Sequence, residues 1–145
     1  MAIDTTILNG ASAETRTGTA GTILLVEDDP SVRGLVSRLL KLQGYTVLVA
    51  ENGRAALPVW DKNRDNIDLL LTDVVMPQGL SGRELATRCQ AENPHLQVIY
   101  TSGYNVEMST QHNWLKSGIQ FVQKPYRPEQ LLQAVRVAIS QNQNH

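Results

Sequence analysis

The chain has 145 residues, 41% of them hydrophobic and 19% charged, with a net charge of −1. That suits one domain with a real core, and the near-neutral charge gives no basic field to draw nucleic acid or an anionic membrane surface. A single cysteine, Cys89, excludes an internal disulfide, no apolar run reaches the ~20 residues of a membrane span, and MAIDTTILNG lacks a secretory pattern, so a cytoplasmic location is expected.

Residues 1–20 are rich in Thr, Ala, Ser and Gly and read as a flexible leader or interdomain linker. The folded unit is expected over 21–141, with 142–145 a frayed tail. Short apolar runs then alternate with longer helical patterns, which places strands near 22–26, 45–49, 68–72, 96–100 and 119–122. Several runs are apolar on both faces, as in buried parallel strands. In the first helix Val32, Leu35, Val36, Leu39, Leu40 and Leu42 recur at helical spacing, with Pro30 at its opening turn and Gly44 at its end. The second, over about 53–63, contains Pro58 and is expected to be kinked, shortened or begun late. The third spans 81–92 and opens on a capping box, Ser81 and Glu84. Gly103–Gly118 has weak periodicity, so its helix is the least defined element. The last helix carries an apolar stripe of Leu131, Leu132, Val135, Val137, Ala138 and Ile139. Fivefold βα alternation predicts an α/β fold with a doubly wound parallel sheet and right-handed crossovers.

Four polar clusters follow apolar runs in this pattern: Glu27-Asp28 after TILLV, Asp73 in IDLLLTD, Thr101 after LQVIY and Lys124 after IQFVQ. Parallel strands would bring all four to one sheet edge, where open α/β sheets bind ligands. A carboxylate at Asp73 can attack phosphorus and form an aspartyl-phosphate, provided a cation offsets the repulsion between the anions. Glu27 and Asp28 suit Mg²⁺, or Mn²⁺ in its place. Asp28 and Asp73 would bind directly, Glu27 through water, and the backbone carbonyl of Val75 would complete the protein's share. Lys124 would pair with one phosphoryl oxygen, while Thr101, with Ser102 beside it, would donate to another. Asp29 is expected to face away, toward the first helix. Pro125 permits a cis peptide after Lys124.

With TILLVEDDP, LLLTDVVMP, IYTSGY and FVQKPY in order, the chain resembles the receiver domains of two-component response regulators from residue 22 to about 140. The resemblance implies a flavodoxin-like (βα)5 fold with strand order 2-1-3-4-5. It makes Asp73 the phospho-acceptor, Thr101 the switch hydroxyl and Phe121 the aromatic switch position. The implied donor is a phosphohistidine on a histidine kinase or histidine phosphotransfer protein, possibly in cis. MPQGLSG and TSGY resemble the receivers of hybrid sensor histidine kinases in particular. Slow self-catalysed dephosphorylation is also implied, because Val75 and Gly103 bring no polar side chain to orient water. A dimer through the fourth helix, fifth strand and last helix is a further expectation. The alternatives are a stand-alone response regulator or a phosphorylation-independent interaction module on the same fold. An aspartyl-phosphate hydrolase is disfavoured because Val75 stands where its second Asp belongs, and a flavin carrier because no Gly/Ser/Thr phosphate loop follows strand one. His95, His112 and His145 lack ligand spacing; Trp60, Trp114 and Cys89 read as packing residues, and Gly79, Gly82 and Gly103 as turn positions.

Overall fold

A computed structural model describes residues 20–74, 80–102, 120–125 and 127–143. Five strands, β1 (Thr22–Val26), β2 (Thr46–Ala50), β3 (Leu69–Asp73), β4 (Gln97–Ser102) and β5 (Gln120–Gln123), form one parallel sheet in the order β2-β1-β3-β4-β5. This is the doubly wound, flavodoxin-like arrangement expected. Helices α1 (Pro30–Leu42), α2 (Gly53–Asn63), α3 (Gly82–Glu92) and the C-terminal α4 (Pro128–Gln143) cover both faces.

Strand residues alternate between two apolar layers. Leu24, Val26, Leu70 and Tyr100 point toward α2 and α3, where Ala56, Trp60, Leu85, Ala86 and Cys89 complete one core. Ile23, Leu25, Leu69, Leu71, Ile99 and Val122 face α1 and α4, meeting Val36, Leu40, Leu131, Val135 and Ala138. A strand buried on both faces needs apolar residues at every position, which is why TILLV and LLL read as continuous runs.

The later strands begin one residue beyond the expected positions, for local reasons. Tyr45 donates its amide to the Leu40 carbonyl, closing α1 around Gly44, whose φ of 95° lies in the left-handed region. Pairing therefore starts at Thr46, opposite Thr22. Asp68 accepts the Thr22 amide on its side chain (2.9 Å), so β3 starts at Leu69. As a result Asp73 is the last residue of β3, and Thr101 lies inside β4 as its register partner.

Pro58 neither shortens nor delays α2, which fills the whole expected range. Pro58 and Arg54, whose carbonyl lacks its i+4 donor, are both exposed, so water can satisfy that oxygen. Buried Ala56 and Trp60, with the Asn52 cap on the Ala55 amide, hold the helix. Trp60 packs as anticipated, and its indole N–H donates to Glu92 (2.7 Å) on α3. The Ser81–Glu84 capping box forms at the start of α3. Helix α4 runs to Gln143, into the stretch expected to fray. The leader to residue 19, the Gly103–Gly118 helix, Gly79, His112, Trp114 and His145 lie outside the described residues. No helix among the described residues is long and apolar enough to cross a membrane.

Candidate functional site

The carboxyl ends of β1, β3, β4 and β5 converge because the sheet is parallel and β1 and β3 are adjacent at its centre. Glu27 and Asp28 follow β1 directly, and the Glu27 amide bonds to the Ala50 carbonyl at the end of β2 (3.1 Å). Asp29 turns away, as expected, and caps α1 by accepting the Ser31 and Val32 amides. The acidic pair is thus fixed between a strand end and a capped helix start. Arg33, from the first turns of α1, adds a brace that composition did not signal: its guanidinium donates to the Glu27 carbonyl (2.8 Å).

Lys124 lies at the centre of the cluster. Its ammonium is 2.9 Å from Asp73 Oδ2 and 2.5 Å from Glu27 Oε1, and the peptide to Pro125 is cis. Expected to pair with a phosphoryl oxygen, this lysine bridges the two buried carboxylates. Glu27 also accepts the Asp29 amide (3.0 Å). Burial raises the pKa values of Glu27 and Asp73, and the bonds from Lys124 only partly offset it. Burial alone would lower that of Lys124, but its hydrogen bonds to Glu27 and Asp73 outweigh this and hold it above the ordinary range.

Glu27, Asp28 and Asp73 each offer a carboxylate oxygen, all within 4.8 Å of one another. Octahedral Mg²⁺ has adjacent oxygens about 3 Å apart and opposite ones about 4 Å apart, so the carboxylates would have to draw together, or bind in part through water, to hold the ion. Among the described residues three carboxylates face the single ammonium of Lys124, an excess of negative charge that a divalent cation would offset. Among the described residues no other cluster of His, Cys, Asp or Glu could hold a metal, and His95 is not in this one. The Val75 carbonyl, the Ser102 side chain and Gly103 lie outside the described residues.

Thr101 is buried, and its carbonyl accepts the Val74 amide (2.9 Å), tying β4 to the residue after Asp73. Phe121 pairs in register with Tyr100, whereas Thr101 pairs with Val122. Phe121 packs against the α2–α3 core, whereas Val122, the register partner of Thr101, belongs to the other layer. Tyr100 is buried beside it, with the Arg83 guanidinium 3.4 Å from its hydroxyl and 5.4 Å from its ring centroid. Cys89 is inert packing, its thiol pushed up to about 12 chiefly by burial.

The profile of the response regulator receiver domain matches residues 23–136. The chain belongs to this family. A receiver domain of two-component signalling thus accounts for nearly all of the described fold.

Over 117 residues, or 81% of the chain, this receiver domain is 32% identical to the sensor kinase CckA of Brucella abortus, covering 12% of that protein. It is 34% identical over 111 residues to a cyclic di-GMP phosphodiesterase of Thermotoga maritima, covering 76% of the chain and 28% of the relative. It spans less than a third of either relative. Among solved structures, the receiver domain of the hybrid histidine kinase CckA superposes with a TM-score of 0.68 at 32% identity. That match covers 82% of this chain and 99% of the other.

Proposed function

We propose that this receiver domain is a phosphorylation-driven switch in which Asp73 takes a phosphoryl group from a histidine kinase or histidine phosphotransfer protein. The observation that carries the reading is half-buried Lys124 bridging buried Glu27 and Asp73, beside Asp28, in a cluster with an excess of carboxylates. Asp73 Oδ forms the new P–O bond as the P–N bond of the phosphohistidine breaks. The electron pair returns to the imidazole, which takes up a proton from water. Lys124 already touches Asp73 and follows the charge onto the phosphoryl oxygens, and the Thr101 hydroxyl donates to another of them. Mg²⁺ held by Glu27, Asp28 and Asp73 would neutralise the charge between nucleophile and donor. Phosphate on Asp73 then draws Thr101 inward and lets Phe121 follow, remodelling the surface around β5 and α4 that a partner or second copy would meet.

A hybrid histidine kinase is the favoured parent, with the kinase in cis. The support is the likeness to CckA in sequence and structure, together with the low-complexity stretch before β1. Incubation with acetyl phosphate and Mg²⁺ is expected to add one phosphoryl group, read by intact mass, with chelation preventing it. A chain that gains no mass would sink the reading. The phosphorylated form is expected to persist for minutes or longer, because neither Val75 nor Gly103 has a side chain that can orient a hydrolytic water. Decay of the label after donor removal measures this, and loss within seconds would contradict it.

A further inference from the structure

Gly53 and Gly82 are each the first residue of a helix, α2 and α3. Neither has a φ in the left-handed region, so no turn demands glycine there, and alanine is the better helix former. What excludes a side chain is the neighbouring backbone. A Cβ on Gly82 would stand 2.0 Å from the Asp73 carbonyl oxygen, 2.9 Å from its carbonyl carbon and 3.1 Å from Val74 Cα. The Gly82 amide also donates to the Val74 carbonyl (2.9 Å). A Cβ on Gly53 would stand 2.8 Å from the Leu80 carbonyl oxygen and 3.0 Å from the Leu80 side chain.

The two helix starts therefore grip the chain on either side of the segment that follows Asp73. Gly82 bears on the Asp73–Val74 peptide and Gly53 on Leu80. The Asp73 carbonyl is held from a second direction by the Thr72 hydroxyl, which donates to it (3.0 Å), and Val74 is held by the Thr101 carbonyl. The Asp73 side chain is aimed from this peptide. Ordinary C···O contacts run at about 3.3 Å or more, so a methyl at position 82 forces the peptide and α3 apart by more than about 1 Å.

We infer that Gly82, seconded by Gly53, is a positioning residue for phosphoryl acceptance: its missing side chain lets α3 lock the peptide that aims Asp73. The inference rests on the proposed function and concerns the rate of the step, since neither glycine touches the phosphoryl group or the cation.

The test is acetyl phosphate labelling at saturating Mg²⁺ across a donor series, for the wild type, Gly82→Ala, Gly53→Ala and Ser81→Ala. Ser81→Ala weakens the same helix by removing its cap while leaving the Asp73 carbonyl untouched. In Gly82→Ala the limiting rate is expected to fall roughly tenfold to a hundredfold, with the donor concentration at half-saturation unchanged. Gly53→Ala should fall less, because its contact is longer and partly with a side chain. Ser81→Ala should keep the wild-type rate despite a lower melting temperature. If Gly82→Ala does not fold, a slowed Gly53→Ala that still unfolds cooperatively supports the inference, and a Gly53→Ala at the wild-type rate overturns it. Equal rates in Gly82→Ala and wild type overturn it too, as does a Ser81→Ala slowed as much as Gly82→Ala. Those outcomes leave the acceptor assignment standing; a wild type that takes no label removes both.

Discussion

Asp73→Asn takes no label from acetyl phosphate at any Mg²⁺ concentration, and in metal-free buffer it unfolds no more easily than the wild type. The first half follows from chemistry: an amide has no anionic oxygen to attack phosphorus, and no other carboxylate lies at the end of β3. Undiminished labelling of the variant sinks the acceptor assignment. The second half follows from burial. Asp73 is 8% exposed, and its carboxylate is harder to ionise in the folded chain than in an unfolded one, even with Lys124 at 2.9 Å. A folded-state pKa raised in this way means that the folded chain holds its proton more readily, so stability declines as pH rises through the window between the unfolded and folded values. At neutral pH the ionised group is a burden that Asn removes. Lys124 keeps Glu27 at 2.5 Å, so its ammonium does not lose all compensation. Urea denaturation of both proteins in chelator decides this half. A loss above about 1 kcal/mol, the scale of an ordinary hydrogen bond, makes the Asp73–Lys124 pair a net stabiliser and overturns the argument.

That behaviour connects to what the sequence could and could not reveal. Glu27, Asp28, Asp73, Thr101 and Lys124 were visible because each ends or follows an apolar run, and a parallel sheet carries all such ends to one edge. Strand limits slipped by one residue where the deciding contact is between distant segments, as in the Asp68 carboxylate capping the Thr22 amide. Pro58 misled because chain position alone does not say that it lies on the water side of α2. The roles of Arg33 and Gly82 leave no such mark in the sequence, for a related reason. Arg33 acts on a backbone carbonyl, which has no residue signature. Gly82 looked like turn chemistry, but its constraint is the Asp73 carbonyl nine residues back, and only the packed fold brings those atoms together. Residue types announce charge and nucleophile; the backbone that aims them is set by packing between elements.

Lys124→Met is the more damaging change. It keeps the length and apolar stem of the side chain but removes the ammonium that bridges Glu27 and Asp73 beside Asp28. Removing one partner of a buried ion pair costs about 3 to 5 kcal/mol when the pair is fully buried. Here the Lys124 side chain is 21% exposed against 2% for the Glu27 side chain and 12% for the Asp73 side chain, so about 2 to 3 kcal/mol at pH 7.5 is expected, discounted for solvent. The loss depends on pH, with a definite sign. In the wild type Lys124 lowers the pKa values of both carboxylates against the upward push of burial. Without it both rise further, and the window in which ionisation destabilises the fold reaches toward neutrality. Below that window the carboxylates are protonated and need no counter-charge, so the variant should lie closer to the wild type at pH 5 than at pH 7.5. Lys124 has its own folded-state pKa raised above 10.5, so it stays charged at both pH values and the difference between them comes from the carboxylates it faces. Denaturation curves in chelator at the two pH values give the comparison directly. An equal deficit at both would show that the lysine acts through packing of its stem and not as counter-charge. Adding Mg²⁺ at pH 7.5 should restore part of the loss, since a cation that binds only the folded chain stabilises it by about 2.7 kcal/mol at a hundredfold excess over Kd. Labelling should stay far below wild type even then, because the ion offsets the carboxylates but cannot take the place of an ammonium that follows charge onto the phosphoryl oxygens.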